Sequence, residues 1–332
     1  MRAIVVETPG PAEALRTAEI AEPAPGAGEL VIEVAYAGVG FVDTLFRSGV
    51  FDLPAPSVPG LEITGRVHRV GAGVAGFHPG QRVAALLNDF GRGPRAGGYA
   101  EFAVAHSSMV IPLPADADLA MTAAVLINGV TAWMALHDLA RVDTSDSVLV
   151  LGGGGVGAMT RRLAEISPVG TVIAVASGRA KALDKPGTWI HLTPADLLER
   201  TVGEVTGGRG VDVVVDAVGG ELRTRAWELL APFGRHVILG NASGDDPVVS
   251  TDSAWHGTRQ LMGLSLGGVA HRIPDRIRTV LAAVADLAHR GILVQNGLAV
   301  VPLDEVAEVH RALEQRTAPP KTVLAVSDFS AV

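Results

Sequence analysis

Residues 147–157, Ser-Val-Leu-Val-Leu-Gly-Gly-Gly-Gly-Val-Gly, constrain this chain more than any other stretch. An apolar run of buried-strand length feeds directly into four glycines and then into a segment with Ala158, Met159 and Leu163 that predicts a helix from Gly155 to Ile166. A phosphate-binding turn requires that order of strand, turn and helix. Gly152, Gly154 and Gly157 stand at G-x-G-x-x-G spacing. The first allows the tight turn, the second lets a pyrophosphate approach the backbone, and the third lets the helix pack on its strand. Gly155 and Val156 then lie at the positive end of that helix. A structural strand-to-helix turn would use the same glycines.

A chain of 332 residues with 48% hydrophobic content is long enough for two domains with real cores. Its net charge is −8 and it has no dense run of Lys or Arg, which gives a nucleic-acid surface little electrostatic support. Cysteine is absent, so disulfides and cysteine-ligated metal are excluded. The opening residues, Met-Arg-Ala-Ile-Val-Val-Glu, lack the layout of a signal peptide, and no uninterrupted apolar segment reaches bilayer length. The expected location is the cytoplasm.

Residues 1 to about 113 are rich in Gly, Pro and Val, with short alternating runs at 30–34 and 65–70, and predict a compact β-barrel-like unit. From about Pro114 the character changes. Apolar residues at helical spacing from Ala117 to Ala140 predict two helices around a turn at 127–131. Beyond the glycine turn, strands are expected at 171–176, 189–192, 211–216 and 236–239, with helices from Pro194 through Val205 and from Glu221 to Leu230. This alternation argues for a parallel, doubly wound sheet. Residues 260–266 read as its edge strand, 277–287 as a helix, and 298–301 and 322–326 as strands flanking a helix at 303–313.

The order of motifs resembles the zinc-independent medium-chain dehydrogenase/reductase proteins, in the zeta-crystallin-like quinone oxidoreductase branch. It is carried by Gly38-Val39-Gly40-Phe41-Val42-Asp43, Pro59-Gly60-Leu61-Glu62, Gly97-Gly98-Tyr99-Ala100-Glu101, Asn128-Gly129-Val130-Thr131, the glycine turn, Asp216-Ala217-Val218-Gly219-Gly220 and Gly240-Asn241-Ala242-Ser243-Gly244. The resemblance implies an α/β chain. A GroES-like β-barrel catalytic domain would comprise residues 1–121 and 294–332, and a Rossmann nucleotide-binding domain residues 122–293. It also implies an active cleft between the domains and a homodimer paired through residues 260–266. A strand capped by its own chain is the other reading of that stretch.

An NAD-preferring turn places an acid at the end of the second strand. Here that position falls at Ser177, Arg179 and Lys181, a hydroxyl and two cations suited to a 2′-phosphate, so NADPH is the expected coenzyme. Solvated positions on a following helix would explain the same two cations. Zinc-dependent relatives place His where this chain has Leu61, and use cysteines it lacks. No metal is therefore expected.

Without a Lewis acid, the resemblance implies hydride transfer from NADPH to a quinone or an α,β-unsaturated carbonyl compound. An enoyl-thioester reductase and a non-catalytic NADPH-binding module are the alternatives. Where the family often carries Asn and Tyr hydroxyls, this chain has Gly40, Leu45 and Phe51, which predicts a more apolar pocket without that phenolic donor. Phe41, Phe46 and Phe51 are candidates to stack on a flat acceptor or to fill the barrel core. Asp43 is the acid the motif retains, for substrate or as a local acceptor for turn backbone. Asn128 is assigned to the substrate cleft, and Thr131, Val218, Asn241 and Ser243 to the cofactor. The catalytic proton donor is not assigned. Arg92 and Arg95 lie in a segment that reads as a loop, either solvated or facing an anionic substrate.

Overall fold

The computed structural model describes residues 1–51, 54–87, 97–176, 189–192 and 197–327. Packing divides the chain into two units, Met1–Ile127 with Gly267–Val332, and Asn128–Leu266.

The chain enters the first unit through β1 (Arg2–Val6) and β2 (Leu15–Glu19), an antiparallel pair. The long β3 (Glu29–Val39) follows, then α1 (Phe41–Ser48), β4 (Glu62–Val70), β5 (Arg82–Leu86), β6 (Phe102–His106) and β7 (Val110–Pro112). β3 is buried on both faces: Leu30, Ile32 and Val34 are completely buried, and so are Val31, Ala35 and Ala37. β3 pairs antiparallel with both β4 and β6, so it is the spine of this unit.

α2 (Leu119–Trp133) runs on as a π-helical stretch, Met134–Ala140. The expected turn at 127–131 does not exist: Gly129 and Asn128 sit inside one continuous helix. Packing overrides the cost of that glycine, because most neighbouring positions are buried. By length and composition, 119–140 would suit a bilayer, but 72% of its most apolar window is buried within the protein.

In the second unit, β8 (Ser147–Leu151), α3 (Gly155–Ile166), β9 (Thr171–Val175), β10 (Trp189–Leu192), α4 (Leu198–Thr206), β11 (Val211–Asp216), α5 (Gly220–Glu228), β12 (Leu230–Ile238), α6 (Thr251–Gly257) and β13 (Gln260–Gly263) alternate along the chain. Six strands form one parallel sheet in the order β10-β9-β8-β11-β12-β13, a doubly wound arrangement whose order reverses between β8 and β11. β12 starts six residues before the predicted strand because it carries a bulge: its register on β11 jumps between Leu230 and Arg235, and Phe233 takes φ 65 with its ring exposed. The edge strand stops at Gly263 and does not reach Leu266, which opens the short α7 (Leu266–Val269).

The chain then returns to the first unit through α8 (Pro274–His289), β14 (Leu298–Pro302), α9 (Val306–Glu314) and β15 (Lys321–Ala325). β15 pairs antiparallel with β3, and β14 lies parallel on β15.

Candidate functional site

The glycine turn caps the apolar β8. Gly152 makes the sharp exit at φ 99, a conformation that strains any side chain. Gly157 approaches the Gly152 carbonyl so closely that a Cβ there would collide with it, which brings α3 down onto its own strand. Gly154 is different: a Cβ placed on it meets nothing within 4 Å, so its backbone borders open space. No acid occupies the first turn of α3 to neutralise the unpaired N–H groups and the positive helix end. A pyrophosphate fits this cradle.

Other predicted residues converge on the same end of the sheet. The Asn128 amide packs on Gly155, leaving no room for a Cβ there, so Asn128 belongs with the glycine turn. Thr131 lies three residues along α2 and is buried. Val218 Cγ2 lies 2.9 Å from where a Gly152 Cβ would stand. In the turn after β11, Asp216 Oδ1 accepts hydrogen bonds from the N–H groups of Val218 (2.8 Å) and Gly219 (2.9 Å). The loop after β12 is zipped onto that turn: Ser243 N–H donates to the Val218 carbonyl at 2.8 Å, and Gly220 N–H to the Asp245 carbonyl at 2.9 Å. The side chains of Asn241 and Ser243 pack against Gly219 and Gly220, whose φ values are 77 and 61. Ser177, Arg179, Lys181, Arg92 and Arg95 lie outside the described residues.

In the first unit, α1 separates the three phenylalanines. Phe46 is buried, whereas Phe41 (42%) and Phe51 (40%) keep exposed faces. Phe51 meets the Phe46 ring edge-on, with centroids 5.4 Å apart. Asp43 is buried, and its Oδ2 accepts a hydrogen bond from Gly40 N–H at 2.8 Å, closing the first turn of α1. It therefore serves as the local acceptor for turn backbone. Burial pushes its carboxyl up to about 7 against the Gly40 hydrogen bond and the Lys321 charge, with Glu62 adding repulsion and Tyr99 a further hydrogen bond. Tyr99 is completely buried beside it. Burial and the Asp43 charge hold that phenol well above its ordinary range. The Tyr99 hydroxyl also lies 3.4 Å from His310 Nε2, and burial together with the Arg47 charge lowers His310 to about 3.

Among the described residues, none supplies the ligand set of a catalytic zinc. Glu62 Oε1 accepts a hydrogen bond from Lys321 Nζ and Oε2 one from Ile127 N–H, both at 2.7 Å, so both carboxylate oxygens are engaged. Gly38 is required beneath it, because a Cβ there would overlap the Glu62 carboxylate. Among the described residues no three His, Asp or Glu side chains cluster as metal ligands.

Sequence reasoning missed Lys321, His310 and Arg223. Lys321 and Glu62 are 259 positions apart, and no local pattern pairs them. Arg223 left one signal, a cation three residues into a helix after the acid that ends an apolar strand.

The chain is similar to known proteins in sequence and fold. Residues 26–115 match the alcohol dehydrogenase GroES-like domain family, and residues 190–324 the zinc-binding dehydrogenase family. The probable quinone oxidoreductase of Schizosaccharomyces pombe is 35% identical over 247 residues, 73% of this chain and 72% of that protein. The 2-haloacrylate reductase of a Burkholderia species is 30% identical over 314 residues, 90% of this chain and 91% of that protein. Among solved structures, the Escherichia coli quinone oxidoreductase complexed with NADPH superimposes with a TM-score of 0.86 at 25% identity, covering 98% of this chain and all of the other.

Proposed function

Because the chain belongs to the quinone oxidoreductase family of the medium-chain dehydrogenases/reductases, we propose that it reduces quinones or α,β-unsaturated carbonyl compounds with NADPH and without a metal. The observation that supports this best is the open backbone at Gly154, between a left-handed Gly152 and a close-packed Gly157, where a parallel sheet reverses its strand order. Gly154, Gly155, Val156 and Gly157 hold the pyrophosphate at the head of α3. Ser177, Arg179 and Lys181 hold the 2′-phosphate. Thr131, Val218, Asn241 and Ser243 hold the nicotinamide half, and Asn128 serves the substrate.

When bound, NADPH supplies the hydride. The chain contributes orientation: the strand-end turns fix one face of the coenzyme, and the exposed rings of Phe41 and Phe51 offer aromatic surface to a flat acceptor. A quinone or enone spreads the incoming charge over its own oxygen, so no Lewis acid is needed and solvent delivers the proton. The likeness to a 2-haloacrylate reductase favours an electron-poor alkene beside a carboxyl or carbonyl group as one acceptor class. The reading includes the nucleotide-domain limits 122–293, a cytoplasmic location, and a homodimer joined along β13, whose Leu261 is 46% exposed at the sheet edge.

The test is NADPH oxidation with a benzoquinone, a naphthoquinone, an enone and crotonyl-CoA, with kcat/KM compared for NADPH and NADH. Turnover of a quinone or the enone with a preference for NADPH is expected, unaffected by a metal chelator. Turnover of crotonyl-CoA alone would move the assignment to thioesters, equal coenzyme values would remove the 2′-phosphate site, and binding without turnover would leave a nucleotide-binding module.

A further inference from the structure

The second unit holds a buried ionic cluster that the proposed chemistry does not use. Arg223 is 2% exposed, Asp216 and His236 are fully buried, and the three sit behind the turns that carry Val218, Asn241 and Ser243. A buried guanidinium is costly unless its donors are satisfied, and an apolar side chain at this inward position of α5 would avoid that cost. What Arg223 grips is therefore informative. Its Nε donates to Asp216 Oδ2 (2.5 Å), its Nη1 to Asp246 Oδ1 (2.7 Å) and its Nη2 to the Gly240 carbonyl (2.7 Å). The three bonds reach three segments: the end of β11, the exit from β12, and the far side of the loop that follows.

Asp216 spreads the grip further. Its Oδ1 holds the Val218 and Gly219 N–H groups, and its Oδ2 faces His236 Nε2 at 3.4 Å. Burial raises the Asp216 carboxyl, but hydrogen bonds from His236, Arg223 and the two N–H groups outweigh it and hold the group down at about 2. Residues 241–246 are exposed and include no buried apolar side chain. The loop is thus held by hydrogen bonds and one guanidinium, not by a hydrophobic anchor.

We propose that Arg223 is a positioning residue for the nicotinamide half of the coenzyme, acting through the Asp216 turn and the 240–246 loop to set Val218, Asn241 and Ser243. This rests on the NADPH reading. Such support fixes the groups that touch a ligand to a fraction of an ångström. It is local to one end of the coenzyme, because no bond of Arg223 reaches the glycine turn or the end of β9.

The experiment measures dissociation constants of the full chain for NADPH and for 2′,5′-ADP, which carries the adenylate half and the 2′-phosphate but no nicotinamide. Wild type is compared with Arg223→Met, Arg223→Lys and Asp246→Asn. Arg225→Met is the control, on the same helix but paired with Glu199 at the surface. In Arg223→Met the constant for NADPH is expected to rise about tenfold or more, with 2′,5′-ADP within about twofold of wild type and kcat for a benzoquinone reduced. Arg223→Lys restores part of the loss, and Arg225→Met changes neither constant. Should Arg223→Met fail to fold, Asp246→Asn reads the same ratio from the exposed partner. Equal weakening of both ligands, or of neither, overturns the proposal. A wild-type chain that binds no NADPH overturns the coenzyme assignment first and the role of Arg223 with it.

Discussion

Replacing Asp43 with asparagine is expected to change how stability depends on pH, with a sign opposite to that of most carboxylates. The native carboxyl keeps its proton to about 7, against 3.8 for an unperturbed aspartate, because burial outweighs the Gly40 hydrogen bond and the Lys321 charge. Between those values the folded chain binds a proton that the unfolded chain has released, so stability falls as pH rises. Below about pH 4 both states are protonated and above about pH 7 both are ionised, which flattens the curve at each end. At about 1.4 kcal/mol per pH unit, the full interval corresponds to a loss of about 4 kcal/mol. The amide oxygen of the substituted side chain still accepts from Gly40 N–H but does not titrate. Urea unfolding of wild type and Asp43→Asn at half-unit steps from about pH 4.5 to 8.5 should show the variant gaining on wild type up to about pH 7 and holding its lead thereafter. A difference that stays flat, or shrinks as pH rises, would refute a buried, protonated Asp43.

Two further outcomes follow from the same structure. Lys321→Met strands the Glu62 carboxylate with one N–H donor and is expected to cost about 3–5 kcal/mol, most of which the added Glu62→Gln change returns; equilibrium unfolding that finds the double variant no better than the single one would refute the pairing. Leu261→Lys places a charge in the exposed edge strand β13 and is expected to yield monomers in sedimentation velocity if that edge joins two copies; dimers that persist would count against β13 as the seam.

The parallel sheet and the phosphate turn were legible because their signals are local. β8 is buried along its whole length and reads as an unbroken apolar run, and the roles expected of Gly152, Gly154 and Gly157 rest on backbone sterics within six residues. Where local rules and packing disagree, the reading fails. Asn128 and Gly129 look like a turn yet lie within a helix whose burial outweighs their propensity, and Pro232 and Gly234 hide the start of β12 because a bulge absorbs them. The polar centres were the least legible. Glu62 with Lys321, Asp43 with Tyr99, and Arg223 with Asp246 are joined by folding, and each looks like a lone polar residue in its own segment.

The first unit is also assembled out of sequence order. β3 is translated early, but its neighbour β15 is separated from it by the whole of the second unit. Until about residue 325 has left the ribosome, the 36–39 end of the spine strand lacks its ladder to β15 and Glu62 has no ammonium to neutralise it. The second unit is encoded contiguously, so its own sheet needs nothing from either end of the chain. The strands of the second unit's sheet have therefore all been made before the last strand of the first unit emerges.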